Sequence, residues 1–64
     1  MKWTEIYNIA IELQEQYPDE DVVNIAFTKL QKLVLSLSSF DDKITNCNEK
    51  VLEAIQQAWL EEKS

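Results

Sequence analysis

The chain has no glycine, no histidine and no arginine, and it carries one cysteine and one proline. Each absence removes a class of chemistry. Without glycine there is no phosphate-cradling loop and no dinucleotide-binding turn, because both need backbone conformations or close approaches that only glycine permits. Without histidine, and with Cys47 alone, the chain cannot build a Cys/His zinc site, a Ser-His-Asp triad or a Cys-His nucleophile pair. Cys47 has no intrachain disulfide partner, which suits a reducing compartment. The longest stretch free of charge, Leu33 to Phe40, is eight residues and serine-rich, too short for a membrane span. The first residues, Met1 to Glu5, lack the apolar run of a signal peptide. A chain of 64 residues also has little interior. It buries roughly 60% of its unfolded surface and draws about 3–5 kcal/mol from one core, so a deep catalytic pocket is not expected.

What is present is acid. Twelve Asp and Glu stand against six lysines, for a net charge of −6 and a pI near 4.3. That field opposes nonspecific binding to nucleic acid or to anionic membrane. At 45% hydrophobic the chain still holds enough apolar material for a globular core. The expectation is a soluble, cytoplasmic, monomeric acidic domain spanning residues 1–64.

Apolar spacing is helical in three places. Ile6, Ile9, Ala10, Leu13 and Tyr17 form one stripe, with Thr4 as the expected N-cap and Pro18 stopping the helix at Gln16 or Tyr17. Leu30, Leu33, Val34 and Leu37 form a second, with Thr28 as its expected cap, and Ser38-Ser39 and Asp41-Asp42 break it. Val51, Leu52, Ile55 and Trp59 form a third, begun by an expected capping box of Asn46 and Glu49. Residues 19–26 read as a connector, extended or a single turn. The fold class is therefore all-α, a small three-helix orthogonal bundle with short extended or single-turn connectors, because no single stripe is stable alone. Trp3 and Trp59 read as core or core-edge residues. Cys47 reads as a spectator, with no polarising neighbour in sequence except Lys50.

The charge is uneven. Residues 1–21 carry −5, residues 22–40 carry +2 and residues 41–64 carry −3. At about 100° per residue, Glu5, Glu12 and Glu15 fall within an arc of roughly 80° beside the first apolar stripe. Asp19, Glu20 and Asp21 continue the acids past the helix end. These residues repel one another, and those near the helix C-terminus oppose its dipole. A solvated, solubilising face is the plain reading of such a ridge. A docking surface for a basic partner, formed by Glu5, Glu12, Glu15, Asp19, Glu20 and Asp21, is the functional one. Asp41-Asp42 reads as a turn, or as a loop pair that meets a cation.

Lys2-Trp3-Thr4, Tyr17-Pro18-Asp19 with Asp21, Phe27-Thr28, Phe40-Asp41-Asp42, and Asn48-Glu49-Lys50-x-Leu52-Glu53-Ala54-Ile55-x-x-x-Trp59-Leu60 occur in that order. Together they resemble the IscX family, small acidic proteins of bacterial iron–sulfur cluster assembly, over essentially the whole chain. The resemblance implies a helix-turn-helix or winged-helix-like fold without DNA-binding chemistry. It implies binding to the cysteine desulfurase, in competition with the bacterial frataxin homologue and ferredoxin, with modulation of the enzyme's activity. It also implies weak binding of Fe2+ or Fe3+ by surface carboxylates, for which Glu12, Glu15, Asp19, Asp21, Asp41 and Asp42 are the candidates here. No tightly bound cofactor is expected. The chain departs from the family pattern at Ala26, where arginine is common, at Lys29, Ser38 and Ser39, where acids are common, and at Lys43. Acids thus thin out around the second helix, which shifts the weight to the first.

Carboxylates are hard, weakly selective ligands, and a partner's cationic groups would compete for the same oxygens. Iron binding and partner binding on one ridge should then be antagonistic. Other readings fare worse. A winged-helix nucleic-acid binder would use the third helix, which carries Glu49, Glu53, Glu61 and Glu62 and no arginine to read a base edge. Acid–base catalysis by Glu12 and Glu15 would need a pocket to shift a pKa. An unrelated acidic interaction domain shares most predictions with the adaptor, and partner identity separates the two.

Overall fold

A computed structural model describes residues 1–64. Three α-helices appear in order, α1 (Ile6–Gln16), α2 (Phe27–Leu35) and α3 (Glu49–Lys63), with a single 3-10 turn at Ile44–Asn46. There is no strand. The all-α bundle expected from periodicity is the observed class, and the wing of a winged helix, which needs paired strands, is missing.

The helix starts differ in detail from the expected ones. Glu5, not Thr4, precedes α1, and no side chain caps it. Glu5 instead reaches backwards. Its carboxylate accepts from Lys2 N at 2.7 Å, and its own N–H donates to Lys2 O at 2.9 Å, which closes a tight turn around Trp3 and Thr4. Thr4 lies inside that turn and is not free to cap. α2 begins one residue before the expected cap Thr28, after an extended Ala26, and it too lacks a side-chain cap. α3 is capped by Asn48, whose Oδ1 accepts from Val51 N at 2.9 Å. The expected cap, Asn46, sits in the 3-10 turn and donates its amide to Asp42 Oδ1 at 2.7 Å. Asn46 is thus held by Asp42 in the turn, and the helix starts two residues later than expected.

The end of α1 follows expectation, whereas α2 stops at Leu35, short of the expected break at Ser38-Ser39, and leaves Leu37 outside the helix though buried. Tyr17 N–H donates to Leu13 O at 2.8 Å, and Pro18 then prevents a further turn. Ser36 closes α2, its Oγ donating to Leu33 O at 2.6 Å. The connector at 19–26 contains no regular element, yet it is anchored. Val22 and Ile25 are buried, and Gln56 Nε2 of α3 donates to Val22 O at 2.9 Å.

All buried side chains are hydrophobic, and they form one cluster. Ile9, Ala10 and Leu13 enter from α1, Leu30 and Val34 from α2, and Leu52, Ile55, Ala58 and Trp59 from α3. Trp3 and Trp59 are the largest members, each with its indole N–H satisfied. Trp59 Nε1 donates to Gln14 Oε1 at 2.9 Å. Trp3 Nε1 donates to Lys43 O at 2.8 Å, and its ring meets Phe40 edge-on at 4.7 Å. Each tryptophan thus couples a large apolar burial to one directional contact, which fixes the register of its element. The N-terminal arm, ahead of any helix, is therefore part of the core.

Candidate protein-interaction surface

α1 carries Glu12 and Glu15 and no basic residue. Folding treats the six expected partner-binding acids unequally. Glu5 is engaged with Lys2 N and, at 3.4 Å, with the Asn8 amide. The Lys2 N–H is the main reason its carboxyl is held below the ordinary carboxylate range. Glu12 is half-buried and accepts from Ser39 Oγ, beside a hollow shared with Gln16, Tyr17, Ser36, Leu37 and Ser38. Tyr17 and Ser36 hydroxyls meet 2.7 Å apart in the same place, so α1 and the end of α2 are joined there by two polar contacts.

Glu20 forms an ion pair with Lys29 Nζ at 2.9 Å. The lysine neutralises one member of the ridge. Asp21 accepts from Asn24 Nδ2 at 2.9 Å. Glu15 and Asp19 are exposed, and neither carboxylate takes part in a hydrogen bond or ion pair. The six-residue ridge thus reduces to a free pair at the C-terminal end of α1, flanked by acids with local partners.

The Asp41-Asp42 pair has divided duties. Asp41 stays highly exposed, its carboxylate 3.8 Å from Lys2 Nζ. Lys2 Nζ also donates to Asp41 O, and Asp41 N–H donates to Met1 O at 2.8 Å. Asp42 is a clamp. One oxygen accepts from Trp3 N at 3.0 Å, and the other accepts from Lys43 N and Asn46 Nδ2, each at 2.7 Å. The Asn46 amide first, and then the Trp3 N–H, hold its carboxyl below the usual range. Asp42 thereby ties the N-terminal arm to the 3-10 turn.

No three His, Cys, Asp or Glu side chains come together in a way that could hold a metal ion. The expected metal set is dispersed. Glu12 faces Ser39, Glu15 and Asp19 stand free, Asp21 turns to Asn24, Asp41 lies beside Lys2, and Asp42 is engaged by three donors. The donor set therefore does not fit a housed iron ion. Cys47 is half-buried against the core, its Sγ 3.8 Å from Asn48 O.

Sequence reasoning passed over Tyr7 and Ile11. They fall outside the apolar stripe of α1 and remain exposed, at 71% and 42%. Their signal was available, as apolar residues one turn apart on the polar side of an amphipathic helix.

The fold and surface define a small, acidic three-helix protein. A family profile described as iron-sulphur cluster assembly matches residues 1–64. The chain belongs to that family, the IscX family, and its role lies in iron–sulfur cluster assembly. An uncharacterized protein of Pseudomonas aeruginosa is 44% identical over 63 residues, covering 98% of this chain and 96% of that one. No helix is long and apolar enough to cross a membrane.

Proposed function

We propose that this protein is a non-catalytic, cytoplasmic adaptor that binds the cysteine desulfurase of the assembly system and modulates its activity. The observation that carries the reading is a lysine-free α1 with two unpaired, exposed carboxylates, Glu15 in its last turn and Asp19 just past its end. Their neighbours Glu12 and Asp21 add to the same negative field while holding neutral local partners, and Glu20 is offset by Lys29. Such a surface attracts a basic patch on an enzyme, speeds the encounter and loses strength with salt. The bacterial frataxin homologue and ferredoxin compete for the same patch in this reading, and occupancy sets desulfurase output.

Iron has a looser place. With no convergent donors, Fe2+ or Fe3+ meets one or two exposed carboxylates and water, and a partner's cations displace it. The protein gathers iron by its field and does not house it.

The test is desulfurase binding measured by calorimetry at low salt, with Glu15→Lys and Asp19→Lys combined. Affinity should fall at least about tenfold, since each change both removes an attraction and adds a repulsion. Unchanged binding removes this surface from the adaptor. Glu12→Lys is a poorer probe, because Glu12 also holds Ser39.

A further inference from the structure

The exposed side of α1 carries apolar groups that the core does not use. Tyr7 is 71% exposed and Ile11 42% exposed. They lie one helical turn apart, and Glu15 follows one turn further along the same line. Tyr7 and Ile6 also form one wall of a groove of about 300 Å3, whose other wall is Ala54, Gln57, Ala58 and Glu61 of α3. The alanines keep the α3 wall low and leave the tyrosine ring standing above it. An accessible aromatic ring beside a small apolar floor has the make-up of an interface centre, where one side chain seats and acids form the rim.

The charges around the groove select its occupant. α1 carries no cation, and α3 contributes Glu61 to the groove wall. Of the two lysines on α3, Lys63 is turned to Pro18 O at 2.7 Å and lies over the Trp59 ring. Lys50 stands one turn before Ala54, at the far end from Glu61. A second copy of the chain, itself at −6, would bring one acidic rim against another.

We infer that the groove between α1 and α3 docks a basic amphipathic segment of a partner protein. One apolar side chain of that segment seats between Tyr7 and the Ala54–Ala58 floor, while a lysine or arginine faces Glu61 on the groove wall. The inference rests on the adaptor reading in taking the desulfurase as the first partner to test. It adds an apolar anchor to what would otherwise be a purely electrostatic contact, and so predicts binding that salt weakens but does not abolish.

Two double variants separate the readings, each checked for the wild-type near-ultraviolet signal of Trp3 and Trp59. Tyr7→Ala with Ile11→Ala should weaken desulfurase binding about tenfold at both low and high salt, as expected for truncating an interface anchor. Glu15→Lys with Asp19→Lys should weaken it chiefly at low salt. Loss in the charge variant alone overturns the groove and leaves the adaptor reading standing. Loss in the apolar variant alone upholds the groove and overturns the acidic surface. If the wild-type protein does not bind the desulfurase, the groove is tested with a synthetic leucine–lysine amphipathic helix by amide shift mapping. Shifts centred on Tyr7, Ile11, Ala54 and Gln57 uphold it, and shifts confined to the acids overturn it. Self-association of the wild-type protein in sedimentation that Tyr7→Ala abolishes also overturns it, by assigning the face to a second copy.

Discussion

Asp42 shows how one carboxylate can be withdrawn from a surface by the fold. Its three donors come from Trp3, Lys43 and Asn46, so it holds the N-terminal arm, the loop and the 3-10 turn together. Its folded pKa and that of Glu5 are both depressed. A depressed carboxylate contributes stability that is fully present above the unfolded pKa, about 4, and is lost as pH falls through the lower folded value. Acid should therefore loosen the N-terminal arm first. Asp42→Asn should flatten the decline of the urea midpoint between about pH 5 and 2 while lowering the neutral-pH plateau. An unchanged acid limb in that variant would show that Asp42 is not its source. Trp59 makes a different case. It is fully buried, and truncation to alanine costs about 3–5 kcal/mol. That matches what a core of this size supplies, so Trp59→Ala should be unfolded at 25 °C by circular dichroism. Trp59→Phe keeps most of the ring but leaves Gln14 without its donor, and should lower stability by about 1–3 kcal/mol while remaining folded.

At the scale of the element, the stripes were legible and the caps were not. Ile9, Leu13, Leu30, Val34, Leu52, Ile55 and Trp59 are all buried, as their spacing requires. Capping depends on one side chain and one turn, and all three expected caps moved. Thr4 was enclosed by the Lys2–Glu5 turn, Thr28 fell inside α2, and Asn46 was drawn to Asp42. The cap that formed, Asn48, should respond as one. Asn48→Ala should destabilise the protein by about 1 kcal/mol and reduce amide protection in the first turn of α3. Glu49→Ala, the partner in the expected capping box, should cost less, since only a favourable charge at the helix N-terminus is lost. If Glu49→Ala proves the costlier change, the start at Asn48 is wrong. The connector at 19–26 had no periodicity to read. Its order comes from Val22 and Ile25 entering the core and from Gln56 reaching across from α3.

For the whole molecule, the balance of −6 has a stability cost as well as a use. Only two ion pairs offset it, Lys2–Asp41 and Lys29–Glu20, and such surface pairs are worth about 0–1 kcal/mol each. Screening should therefore help more than it harms. The melting temperature at neutral pH should rise by a few degrees, roughly 2–5 °C, on raising salt from low to about 0.5 M, while desulfurase binding weakens over the same range. A melting temperature that falls with salt would mean that local pairs outweigh the net repulsion.

Apolar periodicity and the order of charges are properties of the chain in one dimension. They were enough for an all-α three-helix fold and for the excess of acid in residues 1–21. Membership of an iron–sulfur assembly family rested on particular residues in order, from Lys2-Trp3-Thr4 to Trp59-Leu60, and on the profile that matches them. The fate of each carboxylate was not of that kind. Its donors come from across the fold, Ser39 for Glu12, Lys29 for Glu20 and Trp3 for Asp42, separations of 27, 9 and 39 residues. No local pattern encodes such meetings. They exist only once the helices have packed, and they leave Glu15 and Asp19 without partners.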